Sequence, residues 1–207
     1  MDIKAYEVGM LQTNCYVVGG DDGLVIIDPG YAGAKLCNEI DSDGRKPVAI
    51  LLTHGHFDHT MGVDYLVERY DIPVYALDKE RETIESSAAN LSTLFSAAGI
   101  HSDTEITYFS EGDVLEFAGL SFETLWIPGH SVGGCCYYLR SDNVIFSGDN
   151  LFYGSVGRSD LPGGSMSAMI NGIKEKLFAL PDETMVYPGH GPETSIGYEK
   201  QYNPFIR

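Results

Sequence analysis

Short apolar runs broken by turn residues open the chain. Residues 15–18 and 24–27 are apolar and flank Gly19-Gly20-Asp21-Asp22-Gly23, a pattern that predicts a β-hairpin. Asp28-Pro29-Gly30 stops the second strand, and residues 32–40 carry helical spacing. Residues 48–52 are continuously apolar, as expected of a strand buried on both faces. That strand delivers residues 53–59 at its C-terminal end, where layered α/β folds gather their sites.

Farther along, residues 61–70 read as a helix, 74–77 as a strand and 79–98 as a longer helical stretch in one or two pieces. Residues 114–117 and 121–127 predict a second hairpin around Ala118-Gly119, and residues 135–139 and 144–147 a third. The last clear helix spans residues 167–179, with Ile170, Ile173, Leu177 and Leu180 marking its apolar stripe. Residues 184–187 read as a closing strand before a short C-terminal segment. The order is strand-rich, helical, strand-rich, helical. It predicts an α/β fold of two sheets packed face to face with helices outside. Each half ends its strands in metal-type residues, a hint of an internal pseudo-repeat.

At 207 residues the chain fits one domain, and 43% hydrophobic against 21% charged residues promises a core. A formal charge of −17 opposes phosphate backbones and anionic membranes, so neither nucleic acid nor membrane is an expected partner. The N-terminus lacks a basic stretch followed by an apolar one, and no apolar run approaches a membrane span. Cys15, Cys37, Cys135 and Cys136 form no CxxC pair, and two are adjacent. That argues against a disulfide framework and for a reducing cytoplasm, with the cysteines as small buried apolar residues.

The chemistry concentrates in Thr53-His54-Gly55-His56-Phe57-Asp58-His59, which holds three of the six histidines. Imidazole and carboxylate suit zinc, iron and manganese. In an extended segment His54, His56 and Asp58 would point one way, while His59 breaks the alternation and can face a second point. One loop could therefore feed two ions. Three more candidates stand at predicted strand ends, each preceded by glycine: His130, Asp149 and His190. Gly157-Arg158-Ser159-Asp160-Leu161 forms a further polar loop, from which Arg158 could bind a carboxylate with its fork of donors. His101 sits in a polar stretch and reads as a surface histidine.

In order, His54, His56, Asp58, His59, His130, Asp149 and His190 resemble the HxHxDH motif and three later ligands of the metallo-β-lactamase superfamily. Asp28, in Ile26-Ile27-Asp28-Pro29-Gly30, is similar to that superfamily's early aspartate, which supports the metal site from behind its ligands. The likeness runs from about Tyr6 to His190. It implies an αββα sandwich of two mixed β-sheets with helices on both outer faces and the site at one edge. Gly157-Arg158-Ser159-Asp160-Leu161 and Tyr202-Asn203-Pro204-Phe205 resemble the glyoxalase II-like (hydroxyacylglutathione hydrolase-like) group. Residues 1–207 read as a single such domain, without the C-terminal helical domain of full-length glyoxalase II.

The resemblance implies two divalent ions, zinc first, with iron or manganese as alternatives. His54, His56 and His130 would hold one; Asp58, His59 and His190 the other; Asp149 would bridge them. Asp58 and Asp149 would be the catalytic carboxylates, and Arg158 would meet an anionic acyl-thiol substrate. The expected reaction is hydrolysis of a thioester such as S-lactoylglutathione by a metal-bound hydroxide, since two metals about 3.5–4 Å apart activate a water near neutral pH. No serine or cysteine nucleophile with a convincing triad is visible. The rival is a mononuclear iron persulfide dioxygenase using His54, His130 and Asp149, a two-histidine, one-carboxylate set. A lactonase or another hydrolase of the fold ranks lower. A secreted β-lactamase is expected to carry a signal peptide, and a nuclease a more basic surface. A purely structural zinc module is expected to use cysteines, and none belongs to the ligand set.

Overall fold

The computed structural model describes residues 1–100 and 102–206, so the surface placement expected for His101 lies outside the described residues. Six strands lie side by side in chain order in the first sheet: β1 (Asp2–Val8), β2 (Thr13–Gly19), β3 (Leu24–Ile27), β4 (Pro47–Leu51), β5 (Val74–Leu77) and β6 (Ile106–Phe109). The first two pairings are antiparallel, and the three from β3 to β6 are parallel. The parallel connections pass through helices α1 (Ala34–Asp43), α2 (Phe57–Thr60), α3 (Val63–Tyr70) and α4 (Arg81–Glu85).

The second sheet contains β7 (Val114–Phe117), β8 (Leu120–Trp126), β9 (Cys135–Leu139), β10 (Val144–Gly148), β13 (Met185–Pro188) and β14 (Thr194–Ser195). Between β10 and β13 run the small hairpin β11 (Leu151–Phe152) and β12 (Ser155–Val156) and the helix α5 (Met166–Gly172). Helix α6 (Ile196–Tyr202) follows β14. β10 and β13 pair in parallel, while the other pairings of this sheet are antiparallel.

Period-2 alternation sorts the strand side chains into layers. Val25 and Ile27 face inward and meet Phe122, Tyr137 and Phe146 of the second sheet. Leu24 and Ile26 face outward and pack under Leu36 and Ile40 of α1 and Val63 and Leu66 of α3. Cys136 and Tyr138 likewise face outward, beneath Met169 of α5 and Ile173 and Leu177 just beyond it. The result is the expected αββα sandwich, with mixed sheets and apolar layers on both sides of each. All four cysteines are free and buried in these layers.

Polar bonds join the two sheets at one edge. The Tyr137 hydroxyl donates to the Leu52 carbonyl at 2.6 Å, and Cys135 N–H donates to the Thr53 carbonyl at 2.9 Å. On the neighbouring strands the Tyr16 hydroxyl donates to the Pro188 carbonyl at 2.6 Å, and Asn14 N–H to the Gly189 carbonyl at 2.7 Å. These bonds hold the ends of β4 and β13 in fixed relation.

Several expectations need correction. Residues 79–98 form no long helix. A 3₁₀ turn at Asp78–Glu80 leads into α4, and a second 3₁₀ turn follows at Ser92–Leu94. Serine and asparagine side chains capture the backbone there: Asn90 Oδ1 accepts from Ser92 N–H at 2.9 Å, and Ser92 Oγ accepts from Ile100 N–H at 2.7 Å. The helix expected over 61–70 begins at Val63, after Gly62 N–H donates to the Pro29 carbonyl at 2.7 Å. The helix expected over 167–179 is α5 followed by a π turn at Ile173–Leu177, where Phe178 N–H reaches the Ile173 carbonyl at 2.9 Å. The C-terminal segment contains α6, capped by Ser195 Oγ accepting from Tyr198 N–H at 3.2 Å.

Tyr137→Phe should destabilise the fold by about 1–3 kcal/mol, because it leaves a buried carbonyl without its donor. Thermal unfolding should show a Tm drop of about 2–4 °C for each kcal/mol lost. An unchanged Tm would mean that this bond between the sheets contributes nothing.

Candidate metal centre

The seven expected ligand residues arrive at one edge from both sheets. His54 follows the end of β4, and His56 is the residue that caps α2. The extended geometry expected through Asp58 stops at His56, because Phe57–Thr60 folds into a helical turn. Asp58 and His59 therefore leave the loop along α2. Asp58 does not point with His54; it joins His59 and His190, while His54 and His56 meet His130. Within each of these two trios the potential ligand atoms lie within 4.8 Å of one another.

The second sheet supplies the rest. His130 follows β8, Asp149 follows β10 and His190 follows β13. An antiparallel bridge between Thr13 and His190 fixes the last of these against β2. Asp149 stands between the trios. Its Oδ2 lies 3.4 Å from His130 Nε2 and 3.6 Å from His190 Nε2, and its Oδ1 lies 3.4 Å from His59 Nε2. Asp58 Oδ2 lies 3.3 Å from His190 Nε2 and 3.6 Å from His59 Nε2. Two tetrahedral ligands with bonds of about 2.0–2.1 Å stand about 3.4 Å apart. The spacing is that of atoms sharing an ion, and it exceeds a strong charge-assisted hydrogen bond.

Donor chemistry gives a second test. Nε2 of His54, His56 and His59 and Oδ1 of Asp149 are buried without a hydrogen-bond partner among the described residues. Burial first, and then neighbouring imidazoles, hold the pKa of His54 well below its usual value and that of His56 down to about 3, so both offer lone pairs at neutral pH. His130 Nδ1 faces the Arg158 carbonyl at 2.9 Å, which makes Nδ1 the donor and turns the Nε2 lone pair into the cluster. That Nε2 lies 2.9 Å from His56 Nδ1.

His59 behaves oppositely. Burial alone would lower its pKa, but Asp58, Asp149 and Asp28 raise it well above normal. The pocket around His59 therefore favours a positive charge. For Asp149, burial pushes upward, yet His59 above all holds the carboxyl well below the carboxylate range. Buried lone pairs beside ionised carboxylates are the surroundings that hold a divalent cation, and the His/Asp cluster fits one.

Residues behind the cluster set its orientation. Asp28, at φ 51°, accepts from Thr53 N–H at 2.8 Å and Thr53 Oγ at 2.6 Å, and its Oδ2 meets His59 Nδ1 at 3.0 Å. Thr13 Oγ donates to Asp58 Oδ2 at 3.0 Å. Glu80 is buried, which raises its pKa, and it accepts from the Gly55 N–H at 3.0 Å and from the Gly133 N–H. One carboxylate thus ties the His54–His59 loop to the His130 loop. Sequence reasoning missed Thr13 and Glu80, since a threonine in a strand and a glutamate in a charged helical run carry no local signal of such a role.

Two glycines admit the close packing. A Cβ at Gly189 would stand 2.2 Å from Asp149 Oδ1 and 2.8 Å from His59 Cε1. One at Gly157 would stand 1.9 Å from the Asp149 carbonyl and 3.1 Å from His130 Nδ1. Arg158 reaches the cluster through its backbone carbonyl. Its guanidinium is exposed and pairs bidentately with Asp160 at 2.8 Å through both Nε and a terminal nitrogen. Asn203, of the second motif quoted for the resemblance, is buried; it donates to Glu199 at 2.7 Å and to the Ser155 carbonyl at 3.0 Å, fastening α6 to the small hairpin. Among the described residues no helix is long and apolar enough to cross a membrane.

Residues 8–190 match the model of the metallo-beta-lactamase superfamily. The chain is 40% identical to the probable metallo-hydrolase YqgX of Bacillus subtilis, covering 100% of this chain and 98% of that protein. It is 32% identical to hydroxyacylglutathione hydrolase GloC of Haemophilus influenzae, again covering 100% and 98%. Among solved structures it resembles the BLEG-1 B3 metallo-beta-lactamase, with TM-score 0.94, 38% identity and 99% of each chain covered. It also resembles TTHA1623 in a di-iron-bound form, with TM-score 0.87, 40% identity and coverage of 98% and 99%.

Asp28→Asn keeps the size of the side chain and a residue that tolerates φ 51°, but removes the charge facing His59. Metal affinity, measured by competition with a chromophoric chelator, should fall about 10–100-fold. Gly189→Ala should lower bound metal per chain while circular dichroism still shows the folded protein. Unaltered metal content in both variants would contradict the account of this site.

Proposed function

This chain belongs to the metallo-beta-lactamase superfamily and is a metal-dependent hydrolase of it, and we propose that its substrate is a thioester of an anionic thiol carrier, cleaved at a two-ion centre. The observation that carries the two-ion part is Asp149, whose two oxygens face His130, His190 and His59 at 3.4–3.6 Å. Full-length likeness to GloC supports the thioester part.

Two divalent ions, zinc or, with the same donors, iron or manganese, would when bound supply Lewis acidity toward a carbonyl oxygen and lower the pKa of a water toward roughly 7. Likeness to a di-iron form supports the iron alternative. The chain's own residues do the rest. His54, His56 and His130 would hold one ion, Asp58, His59 and His190 the other, and Asp149 would present its charge to both. Burial pushes the Asp58 carboxyl upward, but His59 and then His190 outweigh it and hold the pKa at about 2. So weak a base suits coordination better than proton acceptance. Hydrolysis breaks the carbon–sulfur bond. The water oxygen passes to the acyl carbon, and one of its protons ends on the thiol or in solvent.

Arg158 supports an anionic carrier. Its carbonyl lies against His130, which puts the residue at that side of the centre. The guanidinium already grips a carboxylate, Asp160, in the bidentate manner a carrier carboxylate would use. The dioxygenase alternative needs His54, His130 and Asp149 alone. Unpartnered nitrogens on His56 and His59 are more donors than that triad uses, which favours the hydrolase.

Purified protein should hydrolyse S-lactoylglutathione, lose that activity to a chelator and regain it with added zinc, iron or manganese. It should take up no oxygen with glutathione persulfide. Metal-independent turnover, oxygen uptake, or hydrolysis of a β-lactam but no thioester would overturn the proposal. Asp149→Ala should cut kcat by roughly 10³-fold or more, several kcal/mol of transition-state stabilisation. Full activity would remove Asp149 from the reaction.

A further inference from the structure

Beside Asp58 lies a cavity of about 330 Å³ that the proposed chemistry does not use. Its walls are Met10 and Leu11 from the turn between β1 and β2, Tyr31 from the loop after β3, and Phe57 and Met61 from α2 and its end. Asp58 and Thr13, already hydrogen-bonded to each other, also line it. The lining is almost wholly apolar.

The exposure of these residues is unusual. Met10 is 73% exposed, Tyr31 53%, Met61 41% and Leu11 40%. Four large apolar side chains left in solvent around one cavity are the composition of a ligand pocket. Its floor, Phe57, is 3% exposed and packs on Phe95 at 4.7 Å between ring centroids, so the base is fixed. The turn itself is set by Gly9 and Gln12, both at positive φ (69° and 58°). The volume equals that of about ten waters at about 30 Å³ each, enough for a short acyl chain.

The cavity also has a side. Arg158 stands at the His130 side of the centre. Asp58, which lines the cavity, belongs with His59 and His190. A thioester whose anionic carrier reaches toward Arg158 therefore extends its acyl group the other way. We propose that the Met10–Tyr31–Met61 cavity is the acyl pocket and that it selects an apolar acyl chain over a small hydroxylated one, an assignment that rests on thioester hydrolysis at the centre. Met10, Leu11 and Met61 are then specificity-determining residues. Methionine suits the task, because its flexible chain adapts to groups of different shape.

Glutathione thioesters of acetate, butyrate and hexanoate test this with the carrier held constant. Acetyl thioesters of ethanethiol, butanethiol and hexanethiol vary the other side. In the wild-type protein kcat/KM should rise roughly fourfold for each added acyl methylene until the cavity is full, from about 0.8 kcal/mol per buried methylene. The thiol series should stay flat. Met10→Ser and Met61→Ser should each flatten the acyl series, while Val114→Ser, at a position 49% exposed on β7, should keep the wild-type slope. A flat acyl series in an active protein, a slope on the thiol side, or variants with the wild-type slope would each overturn the pocket assignment and leave the hydrolase standing. Absence of turnover with every thioester would overturn thioester hydrolysis and the acyl pocket with it.

Discussion

Positive charge at one buried point is the condition on which this structure depends. Asp28, Asp58 and Asp149 surround His59, with an oxygen of each 3.0–3.6 Å from one of its nitrogens. Like charges about 4 Å apart repel by about 4 kcal/mol at the dielectric typical of a protein surface, and burial strengthens the effect. Nearby, His54 and His56 are held neutral by burial, so they add no compensating charge. Protonating His59 answers part of this imbalance but leaves buried nitrogens without partners. A divalent cation among these side chains would answer both demands, charge and donor satisfaction, at once. The fold positions the ligands, and bound cations would offset the charge it gathers there.

The scaffold meets that condition by bringing strand ends together. β4 ends in the His54 loop, and β8, β10 and β13 end in His130, Asp149 and His190. Bonds between the sheets, from Tyr137 to Leu52 and from Tyr16 to Pro188, fix how far apart these ends stand. Glu80 then ties two of the loops to each other through backbone N–H groups. A shift of one sheet against the other would move His54, His56 and His59 relative to His130, Asp149 and His190. The core and the centre are therefore parts of one mechanical unit. Met10, Leu11 and Met61, which line the cavity beside Asp58, stand on a turn and a helix end, where side chains can vary while the ligands stay in place.

Much of this was legible in the chain. Continuous apolar runs at residues 24–27 and 48–52 mark strands covered on both faces, and both are strands flanked by buried layers. The ligand residues could be named because glycine precedes most of them and because their order resembles a known series. What stayed hidden has physical causes. β6 is four residues long, and β1 alternates weakly at an edge, so neither gives a strong period. Residues 79–98 have helical composition, yet Ser86, Asn90 and Ser92 bind the backbone locally and prevent a long helix. Glu80 and Thr13 act through partners 53 and 45 positions away, which no local pattern can announce. The turn of α2, which sends Asp58 toward His190, likewise depends on tertiary contact: Phe57 N–H donates to the Asn90 carbonyl at 2.9 Å.

We propose that the cluster houses a pair of cations sharing Asp149. Anomalous diffraction at the absorption edges of zinc, iron and manganese, from crystals of protein purified without chelator or added metal, addresses it most directly. Two peaks should appear, one among His54, His56 and His130 and one among Asp58, His59 and His190, both adjoining Asp149. A single peak, or density for metal somewhere other than these side chains, would contradict it.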